Sequence, residues 1–124
     1  MISMLTVSPS DIVDRYTIVK LKSEKISKDA FLAEYEVLTK ELDDLIKSNT
    51  IQKEWIDEMY NVNLKIWDLE AEIGSIANSK ENYARIGELA LQVRHWNTIR
   101  TEIKSKIVKT IKKGFLDRKE FYSK

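Results

Sequence analysis

Four polar residues recur at helical spacing in the second half of the chain: Arg94, Asn97, Arg100 and Lys104. Spacings of three and four place them on one side of a helix. Trp96, in the neighbouring apolar stripe, offers a flat face for a base, while guanidinium suits phosphate and an amide suits a base edge. The pattern favours a site for a small anionic ligand. Alternatively, the asparagine fixes helix register and the cations reach past apolar surface to water.

Two further cations are candidates for the same site. Arg15 follows Asp14 in the first predicted helix, where it either faces the ligand or pairs with Asp11 or Asp14. Arg118 lies between aromatic residues near the C-terminus, where it either closes over an anion or lies on the surface.

The sequence contains no convincing catalytic set. His95 is the only histidine and there is no cysteine, so a thiolate metal site is excluded. Glu41 with Asp44, and Glu54 with Asp57, have the i, i+3 spacing that holds Mg²⁺ in some helical nucleotide pyrophosphatases. Their neighbours are typical of an outer helix face. We therefore predict a non-enzymatic protein without a cofactor or metal, and keep a metal-dependent nucleotide hydrolase as the third alternative.

The composition bounds the class of protein. The chain has 124 residues, 43% hydrophobic and 33% charged, with three glycines and one proline, as expected for one helical domain. The absence of cysteine fits a reducing compartment. No apolar run approaches the roughly 20 residues that span a bilayer. We expect a cytoplasmic protein without a membrane partner.

The charge is unevenly distributed. Residues 104–124 carry eight basic and two acidic residues, whereas the rest of the chain carries 13 basic and 18 acidic residues. The basic end favours an anionic partner or complements the negative pole of a helix dipole. The acidic remainder disfavours nucleic acid, which needs a broad basic surface.

The elements that position these residues are all predicted to be helical. Periodicity and capping residues predict helices over 8–25, 28–47, 51–73 and 80–113, with 1–7 as an N-terminal arm and 114–124 as a docked tail. Ser8 and Ser27 are predicted caps, Asn78 or Ser79 is the predicted cap of the last helix, and Gly114 is the predicted stop.

The third predicted helix has an apolar heptad seam sustained for three repeats. Its members alternate spacings of four and three: Trp55, Met59, Val62, Ile66, Leu69, Ile73 and Ile76. We therefore predict an all-α fold in which a long, antiparallel, coiled-coil-like hairpin carries additional N-terminal helices. Its wide apolar faces favour a homo-oligomer, a dimer or a higher even number, over a monomeric four-helix bundle.

Several stretches carry a resemblance: 11–22 (DIVDRYTIVKLK), 63–70 (NLKIWDLE), 89–93 (LALQV), 97–100 (NTIR) with Lys104, and 118–122 (RKEFY). They resemble short helical proteins, some encoded beside polysaccharide genes. They also look like the first type of phage Thoeris anti-defence sponges.

The sponge resemblance implies a cytoplasmic function in a phage-infected host. Such proteins sequester cyclic ADP-ribose-type signals without degrading them, which blocks Thoeris immunity. It implies that Asn97 reads the ligand's polar edge, that Arg100 and Arg118 hold the pyrophosphate, and that Arg15 comes from another helix or subunit. Trp96, Lys104 and Arg94 complete the predicted ligand-binding set. The alternative is a non-catalytic helical oligomerisation or interaction protein.

Overall fold

A computed structural model describes the backbone of residues 8–123 and the side chains of residues 8–114. It contains four α-helices: α1 (Pro9–Lys25), α2 (Leu32–Lys47), α3 (Lys53–Ile76) and α4 (Tyr83–Ser123). Short 3₁₀ turns, Asp29–Phe31 and Lys80–Asn82, precede α2 and α4. No residue from 8 to 123 is in a β-strand. The all-α prediction is confirmed.

Ser8 caps α1 at its predicted start, whereas Ser27 and Ser79 precede 3₁₀ turns, so that α2 and α4 begin four and three residues after the predicted starts at 28 and 80. The Ser8 hydroxyl accepts a hydrogen bond from the Asp11 amide at 3.3 Å, and proline occupies the first turn of α1. Ser27 accepts from the Ala30 amide at 3.2 Å, and Ser79 from the Glu81 amide at 3.3 Å. Each serine satisfies an amide that has no partner within the helix.

Two predicted helix ends differ from the structure. α3 continues through Gly74 to Ile76, and α4 continues through Gly114 to Ser123. A glycine stop needs a positive φ, which neither residue adopts. Glycine inside a helix costs only about 1 kcal/mol, which good helix formers on either side offset. The docking of the 114–124 tail and the predicted arm at 1–7 lie outside the described side chains.

All four helices meet in one part of the molecule, which we call the base: α1, α2, residues 53–66 of α3 and residues 96–114 of α4. Its buried apolar side chains form one cluster, to which every helix contributes. The cluster comprises Val13, Leu42, Ile51, Trp55, Met59, Val62, Ile66, Ile103 and Ile107. Burial of this apolar surface is the main force that holds the base together.

Beyond the base, the rest of α3 and the start of α4 continue as a thinner segment, which we call the arm (residues 67–95). Leu69 and Leu89 are buried in it, outside the core cluster of the base. The seam prediction is confirmed for burial from Trp55 to Leu69, whereas Ile73 and Ile76 are only half-buried.

Ion pairs join α3 and α4 at both ends of their contact. Arg85 lies 3.0 Å from Glu72 in the arm, and Lys106 lies 2.7 Å from Glu58 in the base. Residue numbers therefore rise along α4 as they fall along α3. Within the described part of the chain, no helix is both long enough and apolar enough to cross a bilayer.

Candidate functional site

A buried polar cluster lies where α1 meets α3 and α4. It begins with the inner face of α1, on which Asp14 and Thr17 are buried alongside Val13 and Leu21. The Asp14 side chain is only 6% exposed. A carboxylate so far from water is costly unless it is paired and hydrogen-bonded.

Partners from two other helices satisfy Asp14. Arg100 on α4 donates from Nε to Asp14 Oδ1 at 2.9 Å and from Nη2 to Oδ2 at 2.5 Å, which makes a two-pronged ion pair. Asn63 on α3 donates from Nδ2 to the same Oδ1 at 3.0 Å and to the Thr17 hydroxyl at 2.8 Å. One side chain of α1 thus holds both long helices in register.

The neighbouring cation is also paired. Lys104 lies 2.8 Å from Asp11 and 4.0 Å from Asp14. The hydrogen bond from Lys104, supported by one from Ser8, holds the pKa of Asp11 below its ordinary value. Burial by itself would raise the pKa of Asp14, but the hydrogen bonds from Arg100 and Asn63 outweigh it and hold that pKa below its ordinary value.

The charges in this cluster therefore balance. Two carboxylates on α1 face two cations on α4, and the Arg100 fork already holds an anion in the geometry that a phosphate would need. A phosphate at Arg100 or Lys104 would have to displace Asp14 or Asp11. The arrangement fastens three helices together, and its chemistry is that of a structural ion pair.

The other predicted ligand residues are not all in this cluster. Trp96 is half-buried, with the Lys65 ammonium 6.0 Å from its ring centroid and His95 edge-on at 5.5 Å. Asn97 is half-buried and follows Trp96 directly, whereas Arg94 is exposed and lies one turn before Asn97, two residues before Trp96. The Arg118 side chain lies outside the described residues.

Arg15 lies in a different place. It is exposed and lines a groove of about 880 Å³ between α1 and α2. The groove floor is apolar, from Ile12, Leu38 and Leu45, and the exposed edge of α2 adds Val37. The structure therefore brings Arg100 and Lys104 together but does not place Arg15 with them.

The carboxylate pairs considered for metal binding are also separated. Glu41 and Asp44 line the α1–α2 groove, whereas Asp57 lines a smaller pocket of about 290 Å³ together with Lys53. Among the described side chains, no three or more histidine or acidic residues come together in a way that could hold a metal ion.

Asp14 and Asn63 are the central residues that the sequence reasoning did not assign to a site. A signal for both was present. Asp14 and Thr17 fall at helical spacing on the stripe that carries Val13 and Leu21, and Asn63 falls between Met59 and Ile66 on the α3 seam. A polar residue on an apolar stripe requires a buried partner.

No protein-family model, curated protein or solved structure matches this chain. The function of this chain must therefore be inferred from the physical properties of its surfaces.

Proposed function

We propose that this chain is a non-catalytic interaction protein that self-associates through its arm. The observation that supports this most directly is the exposed surface of α4 from Tyr83 to Leu91. Apart from Arg85 and Glu88, every exposed residue there is uncharged: Tyr83, Ala84, Gly87, Ala90 and Leu91.

The two charged side chains, Arg85 and Glu88, form an ion pair with each other. Arg85 donates to Glu88 at 3.2 Å and to Glu72 on α3 at 3.0 Å, so both charges beside this surface are paired within the arm. Leu91 is 67% exposed and Tyr83 is 60% exposed. Surfaces of this kind, apolar at the centre with compensated charge at the side, are typical of protein contacts.

A second copy of the chain fits this surface best. A low-charge helix face is self-complementary, so the same face from a two-fold-related copy would cover it without bringing like charges together. Small residues at Ala84, Gly87 and Ala90 allow two helices to approach closely, and nothing lies within 4 Å of a Cβ built at Gly87. The antiparallel hairpin of α3 and α4 would then pack as a coiled-coil-like element in a homo-oligomer.

The test is the assembly mass of a Leu91→Glu variant, by sedimentation or native mass spectrometry at micromolar concentration. Burying a charge at the centre of the contact should lower the mass relative to the wild-type oligomer. The cost of an unpaired buried carboxylate predicts at least a tenfold, roughly 1.4 kcal/mol, weakening.

A matched control is Thr101→Glu, which adds the same charge at an exposed position of α4 outside the arm. Thr101→Glu should assemble as the wild type does, and both variants should keep the wild-type helical circular dichroism. A wild-type chain that is monomeric at 100 µM, or a Leu91→Glu variant of unchanged mass, would refute self-association through the arm.

Nucleotide sequestration is a second proposal, and Trp96 is the observation that favours it. An indole face beside the Lys65 ammonium offers stacking and a cation to a nucleotide, and Asn97 and Arg94, which lie one turn apart on α4, add an amide and a guanidinium. The proposed site therefore consists of Trp96, Asn97 and Arg94, because Arg100 and Lys104 are engaged by carboxylates.

The sequestration proposal is tested by titration calorimetry with cyclic ADP-ribose isomers, followed by heating to recover the ligand. Binding at micromolar concentration, loss of that binding in Asn97→Ala and return of intact ligand would support it. If the wild-type chain does not bind the nucleotide, or if the ligand recovered after heating is cleaved, the sequestration proposal is wrong.

A further inference from the structure

The groove between α1 and α2 is long, apolar and open. It follows α2 from Ala33 to Ser48, which corresponds to about 22 Å of helix. Val37, at the middle of this path, is 59% exposed although its neighbours in the groove are apolar. An apolar trough of this length has the shape that receives a helix.

Acidic residues border this groove. Glu34, Glu41 and Asp44 lie along its α2 side, and Arg15 is the cation on the α1 side. The border therefore carries a net negative charge, which favours a basic occupant.

The same chain carries a basic helical segment that extends past the base. Among the described side chains, Ile111 is the last of α4 that packs against the core, and the helix backbone continues for 12 residues to Ser123, about 18 Å. Lys109, Lys112 and Lys113 are exposed, and Val108 beside them is 46% exposed. By sequence, residues 109–123 carry five basic and two acidic residues, together with four large apolar or aromatic residues after Gly114.

We propose that the α1–α2 groove receives the C-terminal segment of α4, residues 109–123, from a second copy of the chain. Its length matches the groove, and its positive charge matches the acidic border. The segment continues α4 without a break, and no described residue of α4 lines the groove, so the donor is another copy. If each of two copies places its C-terminal segment in the groove of the other, the two contacts are equivalent and are related by a two-fold axis.

This contact goes beyond the proposed arm interface, and its test leaves every arm residue unchanged. If both contacts form, the wild-type assembly is larger than a dimer. Loss of one contact should then reduce the mass without abolishing association.

The first experiment reverses the charge of the groove border. Glu34→Lys with Glu41→Lys should weaken this association about tenfold, because two attractive pairs become repulsive. Restoring complementarity with Lys109→Glu and Lys112→Glu in the same chain should recover most of the loss. Glu36→Lys with Asp43→Lys is the matched control: it makes the same change on α2, at two residues that line other pockets.

The second experiment locates the occupant directly. A benzophenone amino acid replaces Val37, and ¹⁴N- and ¹⁵N-labelled chains are mixed before irradiation. The proposal expects mixed-isotope cross-links between position 37 and peptides from 109–123. Cross-links within one chain, to any other segment of a second copy, or none at all would overturn it, as would equal association of the groove and control variants.

Discussion

The base and the arm are built from the same two long helices, yet they are stabilised differently. In the base, α1 packs on both α3 and α4 and α2 packs mainly on α1, and residues such as Met59 and Ile107 are completely buried. In the arm, α3 and α4 pack on each other, and the seam positions Ile73 and Ile86 remain half-exposed. The same heptad pattern therefore runs through two environments. Additional helices help to bury it in the base, whereas only α3 and α4 bury it in the arm.

The two regions therefore differ in role: the base stabilises the fold, whereas the arm offers a surface for interaction with a partner. The base satisfies its buried polar groups internally, through the Asp14–Arg100 pair and its partners. The arm leaves apolar residues such as Leu91 and Tyr83 exposed, while Arg85 and Glu88 beside them pair with each other. A region that stabilises itself poorly but exposes an uncharged helix face is suited to stabilisation by a partner.

The largest expected effect on the free energy of unfolding comes from truncating one buried side chain to alanine in each region. Ile107→Ala in the base should lower the free energy of unfolding by about 4 kcal/mol, since Ile107 is completely buried in the core cluster, where α1 packs on α3 and α4. Leu89→Ala in the arm should cost about 2 kcal/mol, because two helices can partly collapse around the smaller side chain. Urea titrations of both variants at low protein concentration measure the difference.

An equal cost for the two variants would mean that the arm is as well enclosed as the base. Native-state hydrogen exchange gives an independent check. Amides of α4 in the arm should exchange faster than those near Ile107, because local opening exposes fewer contacts there.

A smaller effect is expected at the buried polar cluster that joins α1 to α3 and α4 within the base. Asp14→Asn keeps the size of the side chain but leaves Arg100 without its carboxylate, so we expect a loss of about 2–3 kcal/mol, reduced because Arg100 is partly exposed. Asp11→Asn is the control. It breaks an exposed pair with Lys104 and should cost under about 1 kcal/mol. If the two losses are equal, the buried Asp14–Arg100 pair does not hold α1 to α4 more strongly than the Asp11–Lys104 pair does.

The same carboxylates predict an acid dependence. The folded-state pKa of Asp14 and of Asp11 lies below the ordinary value, so the unfolded chain binds more protons in acid. Their stabilisation is therefore fully present at neutral pH and is lost as pH falls below about 4, through the folded-state values. The free energy of unfolding of Asp14→Asn should decline less over that range than the wild-type value. Parallel declines would assign the acid sensitivity to other groups.

The smallest expected effect is at Gly74, an exposed helical residue of the arm with nothing within 4 Å of a Cβ built on it. Gly74→Ala should raise the free energy of unfolding by up to about 1 kcal/mol, since alanine restricts the unfolded chain and favours the helix. Thermal unfolding measured at one concentration gives the shift. A destabilised variant would show that this face of α3 is covered in the assembly.

Much of the fold was predictable, because its signals are local. Serine caps at Ser8, Ser27 and Ser79, and the apolar seam of α3, indicated the helices and most of their buried residues. The continuation of α3 through Gly74 and of α4 through Gly114 was not predictable from residue type. A glycine ends a helix in this way only when its φ becomes positive, and the surrounding residues decide that.

The candidate site was predictable only in part. The spacing of Arg100 and Lys104 indicated a shared face, and the structure places them together. Their carboxylate partners lie 86 and 93 residues away in sequence on α1, and no local pattern fixes which acid a given cation meets.

The sequence by itself determined that this chain is helical, where its helices begin, and which stripe of α3 is apolar, because capping and periodicity act between residues a few positions apart. Only the tertiary structure decided that the predicted phosphate ligand Arg100 is already bound to Asp14, that Arg15 faces a separate groove, and that the arm exposes Leu91. Those outcomes depend on how the four helices pack, which brings together residues that are distant along the chain.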